Sequence, residues 1–311
     1  MQNKMPISQP LDNEIDLREL GTVIWAGRKI ILAISGLLTL VSIIVVLIIP
    51  NQYEATAVVS PAQKGNSSML GAMASQLGGL ASLAGLKVPA EEGEETQAAI
   101  EILQSWNFIH QFIEANSLSA KVFAADGWDR ESNEISYDLG LYDPQSGVWV
   151  RNPPAGKTVE PTSWELYEAF SERLSVTTDK TTGMITISIE YYTPFLAKQW
   201  VDQYIVAINN HMRARKLKQA NSNIEYLEKQ IEKTAIAGMK EVFYQLVEEQ
   251  IKSKMLAEAS PEYAFVTVSP AMTPEEKSTP KRALICTLAF LLGLMVSIFI
   301  VLVRHYSRQP R

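Results

Sequence analysis

Two stretches of this chain are apolar for too long to be ordinary core helices. Ile30–Ile49 reads IILAISGLLTLVSIIVVLII, and Ala283–Val303 reads ALICTLAFLLGLMVSIFIVLV; neither contains a charged residue. At about 1.5 Å of rise per residue, each covers the roughly 30 Å hydrocarbon layer of a bilayer. A buried helix of a soluble protein would show a polar face over such a length, and these do not. The first stretch is also too long for the apolar part of a cleaved leader. Nearly thirty residues containing Asp12, Glu14, Asp16 and Glu19 precede it, so the small-residue run Ala55-Thr56-Ala57 is not read as a cleavage site.

The expectation is a membrane protein with two transmembrane helices flanking one large domain. Arg28 and Lys29 precede the first span, and Arg304, Arg308 and Arg311 follow the second, against Lys281 and Arg282 on the opposite flank. The balance places both termini in the cytoplasm and the intervening domain on the far side of the membrane. The expected division is a tail over 1–29, spans over 30–49 and 283–303, an α/β base over 50–193, a helical arm over 194–261, a returning strand and connector over 262–282, and a tail over 304–311. The only cysteine, Cys286, lies in the second span, so the large domain must stand on its packed core without an internal disulfide. A net charge of −6 disfavours a nucleic-acid or polyanion binder.

Within the large domain, Tyr53–Ser60 has strand character and Pro61 ends it. A helix is expected over Glu94–Ala115, mostly turn and loop over Asp126–Pro161, and a helix capped by Thr162 or Ser163 and running to Leu174. Strands follow over Ser175–Asp179 and Met184–Tyr191, the second carrying Ile185, Ile187, Ile189 and Tyr191 on one face. From Pro194 to Pro261 there is no internal proline. Leu196, Trp200, Tyr204, Ile208 and Met212 recur every four residues, and Ile224, Leu227 and Ile231 fall at coiled-coil spacing. The strand over Ala264–Ser269 requires the chain to come back, so a hairpin turning near Ala235–Gly238 is expected, with limbs of about 60 and 30 Å. Two segments stand apart: a short interfacial helix over Ile15–Trp25, and the uncharged Gly/Ala/Ser/Leu/Met run within Lys64–Lys87, read as packed between subunits or lying on a membrane surface.

Catalytic motifs are not found. Gly156-Lys157-Thr158 ends like a phosphate-binding loop, but Arg151 stands where the motif needs its first glycine. His110, His211 and His305 lack metal-ligand spacing. No catalytic residue, metal site or cofactor is expected. Arg213, Arg215, Lys216 and Lys218 form a basic run on the long helix. They are candidates for contact with an acidic sugar or a lipid-linked phosphate, against the plainer reading of a solvated face. In the second span Ala289, Gly293 and Ser297 make a small-residue stripe suited to close helix packing, against the first span or a neighbouring subunit.

Several segments resemble one family. IDLRELGTVIWAGRK before the first span, TGMITISIEYYTPFLAKQWVDQYIVAINNHMR, NIEYLEKQIEKT, and above all Pro270, Pro274 and Pro280 followed by Lys281, Arg282 and an apolar helix with Gly293 are similar to the Wzz family of polysaccharide co-polymerases. The resemblance implies a non-enzymatic regulator that forms a membrane-anchored homo-oligomeric ring at the bacterial inner membrane, with a periplasmic base and projecting arms. It implies as partners a Wzy-type polymerase, lipid-linked polysaccharide and membrane lipid, and as function the setting of the modal length of a surface polysaccharide of the lipopolysaccharide O-antigen type. The alternative within the superfamily is a component for capsule or exopolysaccharide export. The autokinases of that superfamily carry a cytoplasmic ATPase domain; with eight residues after Val303, that activity is not expected here. The arm is shorter than in the longest-armed relatives. Pro270 to Pro280 is expected to be a stiff, extended connector, since each proline fixes φ and removes a donor.

Overall fold

The computed structural model describes residues 23–62 and 92–307. The helix expected over Ile15–Trp25 lies largely outside them, and the segment Lys64–Lys87 wholly so. The chain divides into two compact units, one holding the two apolar helices and the other formed by Asn51–Ser278.

In the first unit, α1 (Arg28–Ile48) and α8 (Arg282–Tyr306) are the two expected spans, apolar and long enough to cross a membrane. Most of their side chains face outward and bury nothing within the protein, which suits lipid rather than water as the surrounding solvent.

The second unit is built on a four-stranded antiparallel sheet. Its strands are β1 (Tyr53–Pro61), β6 (Leu174–Thr178), β7 (Ile185–Tyr191) and β8 (Phe265–Ser269), in the order β6-β7-β1-β8. Alternation fixes the register. Ala55, Ala57 and Val59 sit opposite Ile189, Ile187 and Ile185, and all six are buried. Small residues on β1 let α6 (Pro194–Lys233) lie close over the sheet, where Trp200, Tyr204, Ile208 and Met212 are buried as their spacing predicts. Full burial of each large side chain contributes about 1.5–3 kcal/mol. Thr193 caps α6 by accepting from the Leu196 amide, and Pro194 occupies the first turn, where a missing N–H costs nothing. Gly183, at a φ of 71°, turns β6 into β7.

Three expectations change. The helix over Glu94–Ala115 is two helices, α2 (Glu92–Leu103) and α3 (Trp106–Ala115). Ser105 between them is extended; its hydroxyl donates to the Ile102 carbonyl and accepts from the Phe108 amide, satisfying both helix ends at once. The break re-aims Phe108, Ile109, Phe112 and Ile113 into the core. The helix expected to reach Leu174 is α5 (Ser163–Ser171), closed at its start by a capping box between Thr162 and Glu165. Leu174 already belongs to β6, because the Arg173 carbonyl accepts from Glu190 on β7. The region Asp126–Pro161 is less irregular than expected. After the short helix α4 (Ser119–Phe123), it contains two hairpins, β2 (Ala125–Asp129) with β3 (Glu134–Tyr137) and β4 (Tyr142–Asp143) with β5 (Val148–Trp149).

The arm is a hairpin of α6 and α7 (Ala237–Ala259), about 60 and 35 Å long. Thr234 and Ile236 are extended at the bend, and Gly238 falls inside α7. The turn therefore uses ordinary extended residues, not glycine's freedom.

Candidate functional site

Two places gather the residues singled out in the sequence: the seam between the spans and the arm. In the first, Ala289, Gly293 and Ser297 face the first span, and the stripe continues to Val301. On the first span helix and the turn that leads into it, the matching buried positions are Val23, Gly27, Ile31 and Ser35, again four apart. Gly27 went unnoticed in the sequence, although this spacing was its signal. A Cβ added at Gly293 would lie 3.0 Å from the Ser35 Cα, and one at Gly27 would lie 2.5 Å from a Val301 methyl. The Ser35 and Ser297 hydroxyls donate to carbonyls of their own helices, Ile31 and Leu294, so at these positions the seam is held by close packing.

This geometry gives a controlled expectation. Gly293→Leu should separate the spans and lower the stability of the detergent-solubilised protein by about 1 kcal/mol or more. Gly36→Leu should be silent, because a Cβ there meets nothing within 4 Å. Equal thermal unfolding of the two variants would contradict the seam.

Along the arm, Leu227 and Ile231 are buried and Ile224 is half-buried. Asn223 donates across the hairpin to Gln250, a polar pair suited to fixing the register of the two limbs. At the foot of the arm, buried Asn209 donates to the Phe265 carbonyl and accepts from the Ala264 and Phe265 amides, all within 2.9 Å. One side chain thus satisfies the backbone where β8 meets α6, in a place where sequence spacing carries no signal.

The basic run does not form one patch. At about 100° per residue, Arg213 and Lys216 share one side of α6, and Arg215 and Lys218 the opposite one. Arg213 donates to Asn210 and borders an open groove of about 470 Å³ with Asp202, Glu262 and Pro270, and Lys216 lies 3.7 Å from Glu95. Arg215 and Lys218 are exposed. Of the connector residues, Pro270 is exposed, Pro274 half-buried and Pro280 buried. Ser278 is bonded to the Gln52 carbonyl and to Glu190, which pins the connector beside the start of β1. Lys281 occupies the N-cap position of α8, and Arg282 opens the helix.

The loop resembling a phosphate site has the wrong polarity for one. The Arg151 guanidinium is buried and donates to the carbonyls of Thr158, Val159 and Glu160, and to both carboxylate oxygens of Glu165. Lys157 adds a third contact at 2.9 Å. The loop therefore turns carbonyls toward a cation, whereas a phosphate cradle turns amides toward an anion. The hydrogen-bonded Arg151 holds the Glu165 carboxyl far below the usual carboxylate range. No cluster of His, Cys, Asp or Glu among the described residues is arranged to hold a metal ion.

The Wzz family model, "Chain length determinant protein", matches residues 13–115, and the GNVR model, "G-rich domain on putative tyrosine kinase", matches residues 236–306. Among solved structures, the chain is similar to a "full-length bacterial polysaccharide co-polymerase", at 14% identity over 94% of this chain and 98% of that one, with a TM-score of 0.38. It is also similar to a fragment of WzzB, a polysaccharide co-polymerase from Salmonella Typhimurium, at 13% identity over 74% of this chain and 100% of that one, with a TM-score of 0.28. These superpositions are loose, and the assignment rests on the family models. No curated protein matches the chain. The first model covers the entry span and the start of the base, and the second covers the far limb of the arm through the exit span; together these matches support a Wzz-family polysaccharide co-polymerase.

Proposed function

We propose that this protein sets the modal chain length of a surface polysaccharide of the O-antigen type, without itself catalysing a reaction. It works as a ring of identical membrane-anchored subunits, with both termini in the cytoplasm and the unit Asn51–Ser278 in the periplasm. Its partners are a Wzy-type polymerase, the lipid-linked polysaccharide and the surrounding lipid.

One observation carries the assembly part of this reading. The arm is longer than its own core can hold. Within α7 only Ala257 is buried, while Tyr244, Ile251 and Met255 are 56, 44 and 63% exposed along one side of the helix. Two-helix hairpins of this length are not stable on so narrow a seam, and a neighbouring arm of the same periodicity would cover the remainder. Polymer length is then a property of how the arms pack, and the Leu227–Ile231 seam is where it can be altered.

The test is the glycan ladder of a strain lacking the protein. Deletion should replace a modal distribution with a broad or shifted one, and the reintroduced chain should restore it. Complete loss of surface polymer would instead favour an export component for capsule or exopolysaccharide, and an unchanged ladder would remove both readings.

A further inference from the structure

Two tryptophans stand on the surface of the base unit. Trp106 opens α3 and is 43% exposed; Trp164 lies in the first turn of α5 and is 55% exposed. Neither is needed to fill the core, which Phe108, Phe112 and Phe170 close between the same two helices. Exposure on this scale leaves much of a large apolar ring in water, and such rings mark contact surfaces.

Both indoles are held in place. The Trp106 ring stacks on His110, with centroids 5.9 Å apart and planes 14° from parallel, and His110 in turn lies 3.3 Å from Glu114. The Trp164 ring lies against Tyr167 at 5.2 Å. The Tyr167 hydroxyl donates to the Gln104 carbonyl, two residues before Trp106, so the two ring pairs belong to one surface. Between and around them are hydrogen-bonding side chains: exposed Asn107 and Gln111, bonded to each other at 3.3 Å, and exposed Glu114 and Glu168. Neither α3 nor α5 contains a lysine or arginine.

We infer that this face is a saccharide-stacking site, taking pyranose rings of a neutral or amino-sugar polysaccharide. The C–H face of a pyranose is apolar and slightly positive, which suits the negative face of an indole, while its hydroxyls pair with amides and carboxylates at the ring's rim. Fixed rings lose little freedom on binding. With Glu114 and Glu168 exposed and no lysine or arginine on either helix, phosphate-rich surfaces are disfavoured, so an anionic bilayer is the poorer occupant although tryptophan also favours membrane interfaces. The inference rests on the chain-length reading for the source of its ligand, and it adds a direct grip on the polymer on the base, away from the basic run of α6.

The test uses the full chain in detergent micelles and the host's own surface polysaccharide, purified and freed of its lipid. Titration should give a saturable change in intrinsic fluorescence. Trp106→Ala and Trp164→Ala should each weaken binding about tenfold, as loss of a stacking ring does elsewhere. Trp106→Phe should recover most of it, and Trp25→Ala, in the membrane unit, should bind like the unmodified chain. Thermal unfolding and oligomer size should stay unchanged, since both rings are exposed. Equal binding by the double alanine variant, or no binding by the unmodified chain, would overturn the inference. So would a double variant whose only change is in oligomer size or in partition onto phosphatidylglycerol vesicles, since the rings would then serve a second copy or the membrane. In each of these cases a ladder restored by the unmodified chain leaves the chain-length reading standing, whereas an unaltered ladder removes that reading alone.

Discussion

Arg151→Ala is expected to lower the stability of the base unit by about 3 kcal/mol or more, read from chemical unfolding of the solubilised protein. The reason is what remains behind. Glu165 is buried and keeps only Lys157 as a charged partner, and the carbonyls of Thr158, Val159 and Glu160 lose their shared donor. The same pair makes stability fall in acid. The folded carboxyl titrates below its unfolded value of about 4.5, so its contribution is complete above that pH and is lost progressively as pH falls below it. Glu165→Gln should therefore be less stable at neutral pH and show a shallower decline in acid. A change under 1 kcal/mol for Arg151→Ala would mean that water replaces the guanidinium at little cost.

Asn209→Leu should destabilise the junction of arm and base by a similar amount. Three backbone groups lose their partner, the two of Phe265 in a buried place and the Ala264 amide in a half-buried one, each buried group at about 1–3 kcal/mol before relaxation. The amides of Ala264 and Phe265 should exchange with solvent much faster than in the unmodified protein, while exchange across β7 changes little. Uniform acceleration through the sheet would indicate global loosening, and unaltered exchange at Ala264 and Phe265 would show that Asn209 is not their protector.

These two residues show where sequence reading stops. The spans are legible because lipid demands an unbroken apolar run, and β7 because Ile185, Ile187, Ile189 and Tyr191 alternate over one buried face. The hairpin follows from the apolar repeat of α6 together with the need to return to β8. Arg151 and Asn209 are polar residues in a loop and a helix, and their partners lie 14 and more than 50 residues away. Nothing local distinguishes them from solvated neighbours. The break at Ser105 was missed for another reason: apolar residues continue on both sides of it, and one capping hydroxyl decides the matter. In the spans, Ala289, Gly293 and Ser297 were visible as a stripe, but which helix they meet required the structure.

We propose that polymer length is set through arm packing. The most direct measurement is the modal length of the surface polysaccharide in a deletion strain carrying arm variants, compared on one gel. Leu227→Ser and Ile231→Ser should shift or broaden the ladder while the protein stays in the membrane, since a buried aliphatic side chain contributes about 2–5 kcal/mol. Ile224→Ser, at a half-buried position, should act more weakly. Alanine at Arg213, Arg215, Lys216 and Lys218 together should leave the modal length in place. Loss of length control in that four-alanine variant, with no effect of the Leu227 and Ile231 changes, would contradict the account.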